Sequence, residues 1–437
     1  MRVAGALSSL GAYSHAVLVI RDEEGYPLPV AVGFSVQGER IELEPAHVGG
    51  EIGAGPAQLV FSRIRPQPGV GYDQRAYVQL DGELERSPGG PRFTPIRARG
   101  WDENSLPFVE LCERALPQAR RYLSELSAER GEPVRPRLAL GWRLFLATRA
   151  PFLTATLIPV GLGAAVAAFE GSFSWTLFLV TLIGAVAAHL GLNAANDIFD
   201  LRSGADEANV TPTMFSGGSR VLQYGLMSVR QMWSLCLGLY GVAIACGLAL
   251  VLLRGAGLLW LGAAGIAISY FYTAPPLKLV HRGLGELAVA LGFGPIMVLG
   301  SYWVQRQHYA WRPLIISIPV ALLVMLILYA NEIPDRISDA RVGKRTLVVR
   351  LSQSKVIAGY ALSAAAAYAV LVVGVISGIL PWTVLFGLLT IPLAFRVARM
   401  LDRAYDRPYE LMAGLQQNVL LHLLTGLLLI LGTLIGP

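Results

Sequence analysis

The pattern of apolar and polar positions divides the chain into two parts. Up to about residue 143, charged residues are frequent and short runs alternate between apolar and polar side chains, which is typical of half-buried strands. This pattern predicts six strands followed by a helix, at Ala16–Ile20, Pro29–Val36, Ile41–Leu43, Gln58–Ser62, Tyr77–Leu84, Phe93–Arg99 and Pro107–Leu126. Six short strands and a helix predict a small barrel.

The second part is a series of long apolar runs. Each is close to the length that crosses about 30 Å of hydrocarbon. About nine spans are predicted, at roughly 147–168, 173–194, 232–253, 257–273, 285–304, 313–332, 356–378, 382–397 and 417–435. We therefore expect an all-α polytopic membrane bundle preceded by a soluble, mainly-β domain. The predicted bounds are 1–130 for the soluble domain, 131–143 for a linker and 144–437 for the membrane domain.

Charge sets the expected orientation in the cell membrane. The net charge of +6 could suggest nucleic acid, but the basic residues lie in short loops between apolar runs, where they set topology. From Arg130 onward, about twenty Lys and Arg precede the first span or follow the even-numbered spans, whereas the opposite loops hold Arg254, Arg306 and Arg312. The lipid bilayer is thus the expected partner, with the N-terminal domain and even-numbered loops in the cytoplasm, and no nucleic acid is expected.

The second span ends in a cluster of polar residues. Four of them recur at steps of four, three and four, which places them on one helix face: His189, Asn193, Asn196 and Asp200. Asp197 is a neighbour of that face, and Gly204 can end the helix and turn Asp206 back toward it.

The sixth span ends in a similar way. Asn331, Asp335 and Asp339 lie at steps of four, with Glu332 beside them, and the basic run Gly343–Thr346 follows.

Two carboxylate clusters at one membrane face indicate a metal site. A carboxylate near the bilayer must be paired, hydrated or metal-bound, and oxygen ligands favour magnesium, which bridges carboxylates to substrate phosphates. Six cations could bind those phosphates: Arg149, Arg202, Lys278, Arg282, Lys344 and Arg345. Solvated helix caps would explain one such cluster, but not two with cations between them. Of the other polar residues here, His189 fits a satisfied intramembrane group better than a ligand, and Glu286 either pairs with Lys278 or Arg282 or joins the chemistry.

At these residues the sequence resembles the UbiA family of intramembrane prenyltransferases, over about residues 140–437. Asn196, Asp197, Asp200 and Asp206 match the family's first aspartate-rich motif, and Asn331, Asp335 and Asp339 match the second. The resemblance implies nine transmembrane helices, Mg²⁺ held by the five aspartates, and transfer of a polyprenyl group from an allylic diphosphate to an aromatic acceptor. It also implies substrate-binding roles for Asn193, Asn196, Asn331 and the six cations.

Details of the motifs point to a branch of that family. Asp206 follows Asp200 by six residues, Ser216-Gly-Gly-Ser-Arg220 lies downstream, and Arg282-Gly-Leu-Gly-Glu286 opens the fifth span. These features are similar to the branch that prenylates 1,4-dihydroxy-2-naphthoate in menaquinone biosynthesis. Asn331-Glu-Ile-Pro-Asp335 departs from that branch, which often has a second Asn and an Arg there. Alternative acceptors are 4-hydroxybenzoate, homogentisate or a glyceryl phosphate lipid.

The N-terminal part resembles the split barrel of pyridoxamine-phosphate-oxidase-like flavin proteins, through Gly25–Pro29, Gln58–Ser62 and Gln74–Gly82. Three arginines there could hold a flavin phosphate: Arg63, Arg65 and Arg75. Ordinary surface arginines in a barrel without a cofactor are the favoured interpretation.

Two other classes of protein remain as alternatives. One is a cation-coupled transporter, but transporter sites tend toward the bilayer midplane, whereas both carboxylate clusters lie at one face. The other is a flavin- or lipid-sensing protein in which the bundle is an anchor.

Overall fold

The computed structural model describes residues 2–21, 27–44, 54–67, 71–87 and 90–436. The chain forms two compact units, Met1–Ala115 and Leu116–Pro437. Residues 25 and 26 of the Gly25–Pro29 motif lie outside the described residues. The helix Phe108–Arg130 runs past the division between the units, so the domain bounds predicted from the sequence stay a prediction.

The first unit is mainly β. A short helix, α1 (Val3–Ser9), precedes seven strands that form one antiparallel sheet in the order β2-β1-β5-β6-β7-β4-β3. The strands are β1 (Ala16–Arg21), β2 (Pro27–Val32), β3 (Phe34–Gln37), β4 (Arg40–Leu43), β5 (Gly55–Gln67), β6 (Gly71–Glu85) and β7 (Arg92–Asp102). Apolar side chains on one face of the sheet form its core, including Leu18, Leu59, Phe61, Leu80 and Phe93.

The prediction of a single strand at Pro29–Val36 is wrong. It is interrupted at Gly33, and the strands before and after this residue, β2 and β3, lie at opposite edges of the sheet. Because one residue joins the two edges, the sheet must curl until they approach each other. Gly33 lies at this junction, beside the flexible side chain of Glu44. The mainly-β domain predicted from the sequence is therefore a curled sheet.

The three arginines considered for a flavin phosphate lie on this sheet. Arg75 forms a two-pronged ion pair with Glu103 and stacks 4.1 Å over the ring of Phe108. Arg63 is half-exposed and lies 3.9 Å from Asp102, and Arg65 is exposed on the same strand. This arrangement gives no support to a flavin in the domain.

The second unit is a helical bundle, entered through α2 (Phe108–Arg130). Further helices follow in chain order: α3 (Leu140–Ala147), α4 (Thr154–Phe169), α5 (Trp175–Ser203), α6 (Ala205–Ala208), α7 (Val229–Arg254), α8 (Leu259–Phe271), α9 (Gly285–Leu291), α10 (Met297–Arg306), α11 (Trp311–Arg341), α12 (Leu347–Arg350), α13 (Gln353–Ile376), α14 (Ile391–Arg403) and α15 (Pro408–Leu434). A π-helical segment, Gly292–Ile296, joins α9 to α10.

Eight helical segments of the described chain are long and apolar enough to cross a membrane. The span predicted at 257–273 corresponds to a shorter apolar helix, Ala256–Phe271. Together they account for the nine predicted spans, and the chain is an integral, multi-pass membrane protein. The prediction of an all-α membrane bundle that follows a mainly-β domain in the chain is confirmed.

Helix α11 lies at the centre of the bundle and carries one of the two aspartate clusters. Buried apolar side chains of α4, α13 and α15 surround it, including Ile158, Tyr360 and Leu421. A buried polar chain also links these helices, since Tyr360 donates a hydrogen bond to Asn418, which donates to the carbonyl of Leu326 on α11. Inside an apolar bundle such bonds fix the helix register.

Polar contacts also close the end of the bundle remote from the clusters. Glu170 pairs with Arg306 and Arg312, at 3.6 and 2.9 Å, and accepts a hydrogen bond from Tyr302. Arg254 donates to the carbonyls at the end of α10. The three arginines of this end therefore fasten helix ends together.

Candidate functional site

The first polar cluster occupies the last turns of α5. Gly204, at φ +76°, ends the helix in the left-handed conformation that glycine adopts without strain. The short helix α6 then returns the chain, so that Asp206 is buried beside Asp200. Both carboxylates line one cavity, as the sequence predicts.

The second cluster lies on α11, which continues past the predicted end of its span to Arg341. Asn331, Asp335 and Asp339 consequently share one helix face. They line the same cavity, which has a volume of about 160 Å³. The polar side chains lining it include those of Arg149, His189, Asn193, Asn196, Asp200, Asp206, Asn209, Asn331, Glu332, Asp335, Asp339 and Lys344.

Lys344 joins the two clusters. Its Nζ atom lies 3.8 Å from Asp200 on α5 and 3.5 Å from Asp339 on α11. Burial lowers the pKa of Lys344, but the charges of Asp200 and Asp339 outweigh it and hold the pKa well above the ordinary value. Lys344 is therefore a fixed positive charge between two carboxylates.

Asp197 is paired with a second buried cation. Arg149, just before the first span, lies 2.5 Å from its carboxylate, and the hydroxyl of Ser219 donates to the other oxygen. Burial lowers the pKa of Arg149, while the charge of Asp197 and the hydrogen bond to it raise the pKa above its ordinary value overall. The first cluster thus has its own permanent cation.

Asp206 is held by a loop that follows α6. Gln223 donates a hydrogen bond of 2.9 Å to its carboxylate, and Arg220 donates to its backbone carbonyl. Burial first, and then the charges of Asp200 and Asp197, raise the pKa of Asp206 well above its usual range. Such a carboxyl group becomes ionised once a cation enters the site.

The earlier part of the same loop, residues 209–220, also reaches the second cluster. Asn209 donates to Asp335 at 2.8 Å, and the backbone N–H of Gly217 donates to it at 3.0 Å. Gly217 and Gly218 both have φ of +77°. A Cβ atom on Gly218 would lie 2.7 Å from the carboxylate of Asp206.

The sequence pattern alone did not indicate a site role for this loop. Its two glycines permit backbone donors to approach the carboxylates closely. The Ser216-Gly-Gly-Ser-Arg220 run was the available signal, because consecutive glycines between hydroxyl residues are typical of such close approaches.

The structure brings two of the six predicted cations, Arg149 and Lys344, to the cavity. The other four do not line it. Arg202 stacks over Phe199 and Trp233, at 5.8 and 5.5 Å. The remaining three are exposed: Lys278 and Arg282 between α8 and α9, and Arg345 between α11 and α12. Their phosphate contacts stay a prediction.

His189 and Glu286 each have a hydrogen-bond partner outside the aspartate clusters. His189 is hydrogen-bonded to the hydroxyl of Thr156 at 2.8 Å, which fits a satisfied intramembrane polar group. Glu286 forms an ion pair with neither Lys278 nor Arg282 and instead accepts a hydrogen bond of 3.0 Å from the backbone of Leu347, at the start of α12.

The donor set suits a hard cation that binds together with its substrate. All its anionic donors are carboxylates, and Oδ1 of Asp200 has no hydrogen-bond partner in the described part of the chain. In that part, no three carboxylate, His or Cys side chains converge as a ready-made metal site. Magnesium fits this arrangement, because it keeps several waters and uses few carboxylates plus substrate phosphates.

A larger apolar chamber adjoins the polar cavity. Its volume is about 450 Å³, and it lies among α5, α7, α8 and the segment around Gly292–Ile296. His189, Leu192, Tyr272, Val289 and Phe293 line both spaces. A molecule with a charged head and a long apolar tail could therefore occupy both at once.

Comparison with known proteins agrees with this geometry. The profile of the UbiA prenyltransferase family matches residues 156–431, which is more than half of the chain. The chain belongs to the UbiA prenyltransferase family. The resemblance inferred from the two aspartate motifs is confirmed, and with it the prediction of a membrane-bound prenyltransferase.

Several members of the UbiA family are similar along most of their length. A 1,4-dihydroxy-2-naphthoate octaprenyltransferase of Bacillus subtilis is 28% identical, over 72% of this chain and 99% of its own. One of Mycobacterium tuberculosis is 36% identical, over 55% of this chain and 80% of its own. A solved UbiA homologue of Archaeoglobus fulgidus, bound to GPP and Mg²⁺, is 14% identical, with a TM-score of 0.45 over 66% of this chain and 99% of that one.

Proposed function

We propose that this protein transfers a polyprenyl group from an allylic diphosphate to 1,4-dihydroxy-2-naphthoate, with magnesium, as a step of menaquinone biosynthesis. One observation carries the proposal: four of the five aspartates line a polar cavity that adjoins an apolar chamber, together with the cations Arg149 and Lys344, and the fifth, Asp197, pairs with Arg149. The polar cavity suits a diphosphate, and the chamber suits an isoprenoid tail.

The donor end of the site is proposed to work through fixed charge. Asp197, Asp200, Asp206, Asp335 and Asp339 would hold magnesium, which neutralises the diphosphate and favours its departure when bound. Lys344 and Arg149 would face the phosphate oxygens, where their positive charges oppose the negative charge that develops on the leaving group. Because both cations are already held by buried carboxylates, they need little reorganisation during the reaction.

Amide side chains complete this end of the cavity. Asn196 donates a hydrogen bond of 3.0 Å to Asp200, and Asn193 donates at 2.8 Å to the carbonyl of Thr148. Asn331 lines the cavity one turn before Asp335. Their proposed role is to orient carboxylates and bind phosphate oxygens.

The choice of acceptor rests on the relatives. Those named above from Bacillus subtilis and Mycobacterium tuberculosis carry the name 1,4-dihydroxy-2-naphthoate octaprenyltransferase. Others include a 2-carboxy-1,4-naphthoquinone phytyltransferase of Synechocystis, 28% identical over 69% of this chain and 96% of its own. A naphthalene-diol carboxylate is therefore the favoured acceptor over 4-hydroxybenzoate, homogentisate or a glyceryl phosphate lipid.

The active site is proposed to face the cytoplasm. The loops that follow the even-numbered predicted spans are rich in Lys and Arg, and both aspartate clusters lie at that end of the bundle. The polar substrate and magnesium would then enter from the cytoplasm, while the isoprenoid donor would enter from the bilayer.

The test is prenyl transfer by membranes that contain the protein, with geranylgeranyl diphosphate as donor and each of the four acceptors in turn. A magnesium-dependent prenylated naphthalene diol is the expected product. Transfer only to another acceptor would support the proposed prenyl transfer but contradict the proposed choice of acceptor. Absence of transfer to every acceptor, from protein that is folded and inserted, would contradict the proposal.

A further inference from the structure

Glu332 is a buried carboxyl group in the site cavity that the proposed donor chemistry does not use. It follows Asn331 on α11, is 5% exposed and lines the polar cavity. Neither of its carboxyl oxygens accepts a hydrogen bond from an N–H or hydroxyl group of the described residues, and the polar side chain within hydrogen-bond reach is another carboxyl group, that of Glu286. A buried carboxyl group without a donor costs free energy, and within a membrane bundle such a group is typical of a functional position.

The neighbours of Glu332 explain why it, and not Glu286, is available to a substrate. Glu286 lies beside it, but one oxygen of Glu286 accepts the backbone N–H of Leu347 and its side chain does not line the cavity. The other charged groups that face Glu332 are Lys344 and Asp339. Lys344 provides the positive charge that can balance an ionised Glu332.

Glu332 also lies near the junction of the polar cavity with the apolar chamber, since Tyr272, which lines both, is close to it. Asn331 and Asp335, its neighbours along α11, belong to the charged end of the cavity. Val289 and Phe293 line both this cavity and the apolar chamber. An aromatic acceptor must lie close to this junction, because its ring has to meet the allylic carbon between the diphosphate and the tail.

We propose that Glu332 binds a ring hydroxyl of the aromatic acceptor and takes its proton during prenyl transfer. This inference rests on the proposed function. Removing that proton increases the electron density of the ring, and a carboxylate held without other donors is a suitable general base.

The bond changes balance without a further reactant. The C–O bond of the allylic diphosphate breaks, its electron pair leaves with the diphosphate, and the ring carbon that carries the carboxylate forms the new C–C bond. The hydroxyl proton passes to Glu332, and the ring oxygen becomes a carbonyl. With a dihydroxynaphthoate, the carboxylate then leaves as CO₂, and Glu332 returns the proton to the ring oxygen.

The test compares Glu332→Gln with the parent protein, using Glu410→Gln as a matched control, since Glu410 is an exposed residue at the start of α15 paired with Arg407. Gln keeps the shape of Glu but cannot take a proton. We expect kcat with 1,4-dihydroxy-2-naphthoate to fall about 100-fold in the Glu332→Gln variant. Magnesium-dependent binding of a geranylgeranyl diphosphate analogue should stay within about twofold of the parent value, because the donor machinery is intact.

A second readout separates catalysis from structural support. Ring-substituted acceptors with more acidic hydroxyl groups lose the proton with less help from a base. They should therefore raise kcat of Glu332→Gln by a larger factor than they raise kcat of the parent. Equal kcat in parent and variant would overturn the inference. So would loss of magnesium-dependent donor binding, which would make Glu332 part of the metal site, or a rate loss that is the same for all acceptors. A folded parent that prenylates no aromatic acceptor would overturn the proposed function and this inference together.

Discussion

The side-chain amide of Asn209 donates a hydrogen bond of 2.8 Å to the carboxylate of Asp335. Asn209 follows the first aspartate cluster in the chain, whereas Asp335 belongs to the second, so this bond links the two halves of the site. The N–H of Gly217 donates to the other oxygen of Asp335. Loop 209–220 therefore sets the orientation of a carboxylate on a helix 126 positions away in the chain.

Replacing Asn209 should weaken donor binding. Removing the amide in Asn209→Ala deletes one hydrogen bond to a charged group, a change of about 1.5–3 kcal/mol, and we expect magnesium-dependent affinity for a diphosphate analogue to fall about tenfold or more. Asn209→Asp should lower this affinity further, because it places a second carboxylate beside Asp335. Titration calorimetry measures both, and equal affinity in all three proteins would show that the loop does not position Asp335.

Lys344 should be needed for turnover. Lys344→Met leaves Asp200 and Asp339 without the cation between them, and also removes a positive charge from the leaving-group end of the cavity. We expect kcat to fall about 10²- to 10³-fold. Lys355→Met is the matched control, because Lys355 is exposed on α13, and it should retain the parent rate. A Lys344→Met enzyme with parental kcat would remove Lys344 from the proposed chemistry.

The apolar chamber should limit the length of the donor. Gly262 and Gly300 line it, and a Cβ atom on either would have no atom within 4 Å. A leucine at either position fills chamber volume at little cost to packing. We expect Gly262→Leu and Gly300→Leu to lower kcat/KM for geranylgeranyl diphosphate about tenfold relative to geranyl diphosphate.

Gly238→Leu is the control for these chamber variants. Gly238 also has open space in front of its Cβ position, but it is exposed on α7 and does not line the chamber. Its ratio of the two kcat/KM values should match that of the parent. If the Gly262→Leu and Gly300→Leu ratios also match the parent, the tail does not lie in this chamber.

Gly163 should matter for the stability of the helical bundle. A Cβ atom on Gly163 would lie 2.3 Å from the carbonyl oxygen of Val298, where α4 packs closely against α10. A bulkier residue forces these helices apart and disturbs the hydrogen bond from Ser301 to the carbonyl of Val160. We expect Gly163→Val to destabilise the bundle by about 1–3 kcal/mol, seen as a lower Tm in detergent, whereas Gly238→Ala should leave Tm unchanged. An unchanged Tm for Gly163→Val would show that the α4–α10 contact is looser than described.

The sequence predicts the helical part of this protein well, for physical reasons. A membrane requires long apolar runs, and helical periodicity then fixes which polar residues share a face, as for Asn196 and Asp200. Gly204 predicts the end of α5, because few other residues adopt its left-handed conformation without strain. These are local properties, and local pattern is enough to infer them.

Long-range pairing is what local pattern does not reveal. Arg202 and Arg149 look equally able to bind phosphate in the sequence, yet Arg202 stacks on Trp233 and Arg149 pairs with Asp197. The partners of Asp335 in loop 209–220 were missed for the same reason. In the β domain, the alternation continues through Gly33, so only the sheet topology reveals that the strand stops there.

The most direct test of the central claim is binding of a non-reactive geranylgeranyl diphosphate analogue to the purified protein, with and without magnesium. Parent, Asp200→Asn, Asp335→Asn and the control Asp406→Asn, an exposed residue paired with Arg336, would be compared. We predict magnesium-dependent binding by the parent and the control, and at least about tenfold weaker binding by both cluster variants. Binding by both cluster variants with the parent's affinity and magnesium dependence would contradict the account, because the two aspartate clusters would then not hold the metal and the diphosphate.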